Sequence, residues 1–447
     1  MSNQEKIYLD YNATRPLRYS ARQELVQGFE LCGNPSAVHS SGNTIRRMIE
    51  NSRDTIAQAL KIESRRLIFT SGATESNNIV LKNFKGRVII SATEHSSVYK
   101  VRDDAIICRV TNSGMIDLQY LEQLLLETDE PTLVSIIAAH NETGVIQPLE
   151  KIQKLTQKFN ACLHTDATQA LGRVNFDWNS FDFISFSGHK IGAMTGIGIL
   201  VINPDKPLCP LMHGGGQERS YRPGTANFLG ILSLKAVIQE TLEEDWSSTK
   251  KLRDYLELQI LDISPLSIIF GRTETRIPNT CLITMPNVNS ATQVMSFDLN
   301  NICVSAGSAC SSGKVKISHT LKGMGYSDDV ANSGLRVSLA PDATKKDVDH
   351  FISIWKKIYL SCSDNMHVQS GTNSVDTTTH NTPVYNNSNK SVFRIIDKLK
   401  SYCLTTGTNK KNEFVQGIKE QSSFKKKHHH KTKNKVHSNK PAILQFY

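Results

Sequence analysis

The chain has 447 residues, 39% of them hydrophobic and 21% charged, enough at roughly 100 to 200 residues per domain for two or three domains with cores of their own. No apolar run approaches the roughly 20 residues that cross a bilayer, which excludes a membrane span, and the first residues lack the segments of a secretory signal, which points to the cytoplasm. The net charge of +10 invites a nucleic-acid reading, but fourteen of the 52 basic and five of the 42 acidic residues lie beyond Cys362, so nearly all of the excess sits in that tail.

In chain order, short apolar runs alternate with amphipathic stretches, the pattern of strands and helices around a mostly parallel sheet. The class is α/β. Strands are expected at Leu67 to Thr70, Val88 to Ser91, Leu133 to Ala138, Cys162 to Asp166, Asp182 to Phe186 and Gly198 to Ile202. Helices are expected over Leu118 to Leu126 and Leu149 to Phe159. A Pro/Gly-rich stretch, Asn203 to Pro223, precedes one long helical pattern from about Phe228 to Ile263, which reads as a bridge to a second unit. That unit is a smaller α/β domain with strands at Ser267 to Phe270, Cys281 to Met285, Ile302 to Ser305 and Leu335 to Leu339, and a closing helix near Thr344 to Leu360. Beyond Cys362 the chain is rich in Asn, Thr, Ser and Lys, with too little apolar surface to offset its ordering entropy, so a disordered tail is expected with one short helix at Val392 to Leu399.

Nine cysteines are scattered without a C-x-x-C pair, which argues against a disulfide framework or a structural zinc site. Most read as buried small apolar residues, Cys303 in a strand core and Cys32 in packing before a Gly-Asn-Pro turn.

The stretch that carries chemistry is Ser185-Phe-Ser-Gly-His-Lys190, which puts a lysine at the end of a strand. Taken alone, that lysine is more often a solvated side chain. Upstream, His164-Thr-Asp-Ala-Thr-Gln169 puts an acid at the end of another buried strand. A lysine and an aspartate in one pocket suit pyridoxal phosphate, which needs a Schiff-base amine and a carboxylate to keep the pyridine nitrogen protonated. Thr70-Ser-Gly-Ala-Thr-Glu-Ser76 follows a strand and opens a helix, so its N–H groups and dipole suit a phosphate, although by itself it is an ordinary helix cap.

With these in place, further segments fall into line: Tyr8-Leu-Asp-Tyr-Asn-Ala-Thr14, Gly33-Asn-Pro-Ser36, Thr93-Glu-His95, Asn141-Glu-Thr-Gly144, His213-Gly-Gly-Gly-Gln-Glu218, Arg222-Pro-Gly-Thr225, Ala306-Gly-Ser-Ala-Cys-Ser311 and Leu335-Arg-Val-Ser-Leu339. In these motifs and their order, the chain resembles the pyridoxal-phosphate cysteine desulfurases of the NifS/IscS type, class V aminotransferases of PLP-dependent fold type I. The resemblance covers nearly all of residues 7 to 361.

The resemblance implies a large, mostly parallel-sheet coenzyme domain at 21–245 and a smaller α/β domain at 246–362 that carries a mobile cysteine loop. Residues 1–20 would be an N-terminal arm belonging to the smaller domain, and 363–447 the disordered basic tail. Lys190 would carry the coenzyme and shuttle the Cα proton, Asp166 would pair with the pyridine nitrogen, and His95 would stack on the ring and take part in catalysis. Asn141 and Gln169 would lie near the ring 3-oxygen. Ala73, Thr74, Ser187, Gly188 and His189 would surround the phosphate, and Thr225 would reach the phosphate of a partner subunit, which makes the active unit a homodimer. Arg336, with Asn141 and Asn34, would bind the substrate, the guanidinium forking onto its carboxylate.

Cys310 matches the catalytic cysteine, which would take sulfur from L-cysteine as a persulfide, leave L-alanine, and pass the sulfur to acceptors for iron–sulfur assembly or tRNA thiolation. The resemblance also allows Cys310 to ligate a transient [2Fe-2S] cluster shared with a scaffold protein. Three departures stand out: Arg15 replaces a usual Thr, Ile191 to Gly196 lacks a basic residue common at that turn, and the tail from Ser363 is the largest. The alternatives are a selenocysteine lyase or another PLP enzyme for β-substituted amino acids and, as a minor reading, a nucleic-acid binder acting through its tail.

Overall fold

The computed structural model describes residues 6–206, 208–307 and 317–370. The chain divides between Asp364 and Asn365, and the architecture below is that of the part before the division. The basic tail, apart from the end of the helix Lys345–Ser370, lies outside the described residues, as do its short helix at 392–399 and Cys310.

The main sheet has seven strands in the order Leu67–Thr70, Gly198–Ile202, Phe183–Ser187, Cys162–Asp166, Thr132–Ser135, Arg87–Ser91 and Ile106–Cys108. All neighbours pair in parallel except Gly198–Ile202, which runs against both of its neighbours. Alternate residues enter two cores: Leu67, Phe69, Val134, Ile184 and Val201 on one face, and Ile68, Leu133, Phe183, Leu200 and Ile202 on the other. Burial on both faces is why these strands read as continuous apolar runs without alternation.

A second, antiparallel sheet orders Ser305–Ala306, Gly334–Ser338 and Thr280–Thr284. Leu9, Leu256, Ile260, Phe297, Phe351 and Trp355 share its core, so the N-terminal segment packs with residues of the far end of the fold. Ile7–Tyr8 pairs in parallel with Ile302–Cys303.

Four local expectations change. The helical pattern from Phe228 to Ile263 is two helices, Phe228–Leu242 and Ser247–Ile263. Between them Asp245 accepts hydrogen bonds from the Ser247 N–H and hydroxyl at 2.9 and 2.8 Å, while buried Trp246 donates from Nε1 to Gly172 O at 2.8 Å. Residues 267–270 make one bridge and no continuous strand: Ile269 pairs with Ile283 between the bonds Phe270 N to Leu282 O and Thr284 N to Ile268 O, both 3.0 Å, while the Ile268 N–H turns to the Thr284 hydroxyl at 2.8 Å. The run Ile302 to Ser305 splits between two sheets. Cys32, expected in packing, is exposed on the segment that follows the helix Tyr19–Phe29.

Candidate active site

Four strands, Leu67–Thr70, Phe183–Ser187, Cys162–Asp166 and Arg87–Ser91, point their C-terminal ends to one edge of the main sheet, where α/β folds place their ligand crevices. A cavity of ≈ 520 Å³ opens there. Its lining brings together Ala73, Thr74, His95, Asn141, Asp166, Gln169, Ser187, His189, Lys190 and Arg336.

The segment Asp10 to Arg15 crosses this edge as a strap. It is tied to the second sheet by Tyr11 N to Ser338 O (3.1 Å) and by Asn12 N to the Ser338 hydroxyl (3.0 Å). It is tied to the main-sheet side by Arg15 N to His189 O at 3.0 Å. Lys190, in the turn after Phe183–Ser187, donates from Nζ to the carbonyls of Asn12 and Ala13 at 2.8 and 2.7 Å. Burial, aided by the positive charges of Arg336 and Arg173, lowers its pKa from 10.5 to about 8. A lysine so placed has a far larger neutral, nucleophilic fraction near neutral pH than a solvated one.

Asp166 ends its strand buried, with Oδ1 accepting from Thr168 N at 3.0 Å and Oδ2 from Asn77 Nδ2 at 2.8 Å. His95 caps the short helix Ser96–Tyr99. Its pKa is lowered, chiefly by burial, with Lys190, His319 and Arg336 adding to the effect and Asp166 opposing it. His189 is lowered to about 4 by burial and then by Lys190, and its Nδ1 meets the Thr14 hydroxyl at 3.1 Å. Gln169 donates from Nε2 to Asn12 O at 3.0 Å.

The helix Ala73–Asn83 begins at Gly72, whose φ of 155° few side chains tolerate. A Cβ on facing Gly198 would stand 2.5 Å from Gly72 Cα, so glycine is required for the two backbones to approach. Glu75 accepts from Ser71 N at 2.6 Å and from Arg222 Nε at 3.0 Å, which holds the loop open ahead of the first turn. The N–H groups of that turn have no intrahelical acceptors, and Ala73, Thr74 and Glu75 line the cavity, a setting that suits an anion.

Arg336, buried on the middle strand of the second sheet, donates from Nη2 to Asp10 Oδ1 at 2.7 Å and from Nη1 to Asn141 O at 3.2 Å, and its Nε has no partner among the described residues. Behind the cavity, buried Glu142 accepts from the hydroxyls of Ser318 and Thr320 at 2.8 and 2.9 Å, and burial lifts its carboxyl to about 7.

Gly188 is buried beneath Ile197 and supports the lysine turn without lining the cavity. Asn34 and Thr225 are exposed and do not line it; Asn34 Oδ1 accepts from Ser36 N at 2.9 Å. Cys310, named above as nucleophile and cluster ligand, lies outside the described residues. Asn12, Asn77 and Ser97 belong to the site's hydrogen-bond network but were not singled out in the sequence, where Asn and Ser in such positions read as ordinary helix and turn residues.

Among the described residues no helix is long and apolar enough to cross a membrane. Residues 7–351 match the family described as aminotransferase class-V. The cysteine desulfurase IscS of Dictyoglomus turgidum is 34% identical over 379 residues, covering 79% of this chain and 94% of that protein. The cysteine desulfurase NifS of Azotobacter vinelandii is 32% identical, covering 77% and 90%. The crystal structure of a NifS-like protein from Rickettsia africae superimposes with a TM-score of 0.74 at 37% identity, covering 79% of this chain and 99% of that one. With sheet order, cavity and sequence in agreement over this span, the chain belongs to the class-V aminotransferase family.

Proposed function

We infer that this chain is a pyridoxal-phosphate-dependent cysteine desulfurase that converts L-cysteine to L-alanine and passes the sulfur on. The observation that carries the reading is Lys190: a buried amine, lowered to about 8, in a cavity that also holds Asp166, His95 and Arg336. Named cysteine desulfurases among the relatives support the same activity.

The coenzyme fits the residues present. Lys190 would hold it covalently, Asp166 its ring nitrogen, and the first turn of Ala73–Asn83 with Ser187 and His189 its phosphate. When bound, it supplies an electron sink for the charge left at the substrate Cα. Arg336 binds the substrate carboxylate and fixes which Cα bond faces Lys190. Lys190, once free, takes the Cα proton; its lowered pKa suits that task. His95 covers the ring face, and the Cys310 thiolate bonds the substrate sulfur as the Cβ–S bond breaks, the electron pair left at Cβ taking up a proton to give the methyl group of alanine and leaving a persulfide on Cys310.

The same reading makes the protein a cytoplasmic homodimer, with Thr225 completing the partner's phosphate site. It supplies sulfur to an iron–sulfur scaffold and other acceptors, with a transient [2Fe-2S] cluster shared through Cys310. The division into a coenzyme domain at 21–245 and a small domain at 246–362 with the arm 1–20 goes with it.

The test is an absorption spectrum of the purified protein followed by L-cysteine, with alanine and sulfide assayed. The reading requires a coenzyme band near roughly 390 to 420 nm that Lys190→Ala abolishes. It also requires alanine release that Cys310→Ala abolishes. A band without cysteine turnover would overturn the desulfurase assignment and keep the coenzyme.

A further inference from the structure

Between Asp166 and His95 runs a chain of three hydrogen bonds whose donors and acceptors can each be assigned. Asp166 Oδ2 is a carboxylate oxygen and can only accept, so the group of Asn77 that faces it at 2.8 Å is its amide NH2. The same nitrogen donates its second hydrogen to Ser97 Oγ at 2.9 Å, and the opposite placement would set the Asn77 carbonyl against the carboxylate. Because Ser97 Oγ already accepts from Asn77, its own hydrogen is free for His95 Nδ1, 2.8 Å away. The Ser97 backbone N–H, which can only donate, also points to Nδ1, at 3.2 Å. Two donors therefore converge on one ring nitrogen, which must present its lone pair.

We propose that Ser97 is a positioning residue that fixes His95 in the Nε2–H tautomer, with Asp166 setting the direction of the chain through Asn77, so that the imidazole offers a proton to the cavity and not a lone pair. His95 Nε2 has no partner among the described residues, and the ring lines the cavity with Asp166 and Lys190. Asn77, Ser97 and Asp166 are buried, so water does not compete for the two bonds between them, while the bonds from Ser97 to His95 Nδ1 are partly buried at the cavity wall.

The arrangement bears directly on the reaction. Two donors on Nδ1 disfavour the imidazolium, which would need a hydrogen there. They act in the same direction as burial and as the positive neighbours Lys190, His319 and Arg336, and against Asp166. A neutral Nε2–H imidazole enters as a hydrogen-bond donor toward substrate. In that state Nε2 cannot act as a proton acceptor. The inference rests on reading the cavity as a coenzyme site, but its structural content does not.

The experiment is long-range ¹⁵N NMR of histidine-labelled full-length protein, coenzyme-loaded, across pH, with His95→Gln to identify the resonances. The expected result is a pyrrole-type Nε2 and a pyridine-type Nδ1. In Ser97→Ala the titration midpoint of His95 moves up by about one pH unit, the size expected for one lost hydrogen bond to the neutral form, and the second tautomer gains population against the backbone N–H of residue 97, which remains on Nδ1. Ser97→Thr, which keeps the hydroxyl, restores both readouts. A pyrrole-type Nδ1 in the parent, or Ser97→Ala with tautomer and midpoint unchanged, overturns the proposal. Should Ser97→Ala not fold, Asn77→Ala decides by the same two readouts, because it cuts the chain from Asp166 and leaves Ser97 in place. Cysteine turnover is scored separately: an Nε2–H tautomer in a protein that does not desulfurate cysteine would count against the function and not against the tautomer.

Discussion

Arg336 and Asp10 form an ion pair 2.7 Å long, with the Arg336 side chain 4% exposed, and Asp10 also accepts from the Ser305 hydroxyl at 2.9 Å. The carboxylate of Asp10 thus holds one arm of the guanidinium while Asn141 O holds the other, and Nε has no partner among the described residues. A lysine at 336 keeps the charge and loses the planar fork. Arg336→Lys is expected to raise KM for cysteine by about 10- to 100-fold with a smaller change in kcat, the loss of a bidentate, charge-assisted contact. Steady-state kinetics at saturating coenzyme check it, and an unchanged KM would remove Arg336 from substrate binding.

Lys190 titrates at about 8 in the fold against 10.5 when solvated. Between those two values the unfolded chain holds more protons, so stability of the coenzyme-free protein rises with pH across that window, and below pH 8 the full cost of burying the charge is present. Lys190→Met is therefore expected to stabilise the coenzyme-free protein by about 2 kcal/mol at pH 7. The gain should shrink toward pH 10.5, as read by urea unfolding at several pH values.

Glu94 works in the opposite sense and in another window. Burial lifts its carboxyl from 4.5 to about 8, Asp166 adds to this, and the hydrogen bond from Ile137 N opposes it. From pH 4.5 to 8 the folded state keeps a proton that the unfolded state has lost, so this group makes stability fall as pH rises. Glu94→Gln keeps the acceptor for Ile137 N, 2.9 Å away. The variant is expected to gain on the parent by about 3 kcal/mol between pH 5 and pH 8. Thermal melts in parallel over that range would reveal the divergence or its absence.

Arg15, unusual for its motif, has a physical account. Its side chain is 3% exposed, lies over the rings of Tyr11 and Trp246, and donates from Nη2 to both carboxylate oxygens of Glu244 at 2.7 Å, while Arg18 reaches the same carboxylate at 2.9 Å. Removing the acid strands a buried guanidinium. Glu244→Ala should cost about 3 to 5 kcal/mol. Because Arg15 N also holds His189 O, the variant should also load coenzyme more weakly, which titration by absorbance would measure.

Much of this was legible in advance for a stated reason. The strands of the main sheet are buried on both faces, so Leu67–Thr70, Cys162–Asp166 and Gly198–Ile202 appear in the sequence as unbroken apolar runs with turns at their ends. Ile106–Cys108 escaped notice because a three-residue edge strand, half exposed, leaves no such run. Lys190, Asp166, His95 and Arg336 could be named because their chemistry is rare at strand ends. Asn77, Ser97 and Asp10 could not. Their importance lies in which distant atom each one meets, and Asn77 and Asp166 stand 89 residues apart. The break at Asp245 depends partly on a distant contact of the same kind: beside the local bonds from Ser247 to Asp245, Trp246 is buried against Gly172, 74 residues away in sequence.

The strap has a consequence for the order in which the molecule is made. Ser338 N donates to Leu9 O at 2.8 Å and Asn12 N to the Ser338 hydroxyl, contacts 326 or more residues apart that close very long loops. Long-range closures of this kind come late and slowly, after local elements have formed. A ribosome-bound chain that ends before Ser338 has its main sheet and its Lys190, but no partner to set the register of the segment whose carbonyls receive that amine. On the coenzyme-site reading, competence to capture it is thus acquired only once Ser338 has been made and the two ends of the folded body meet.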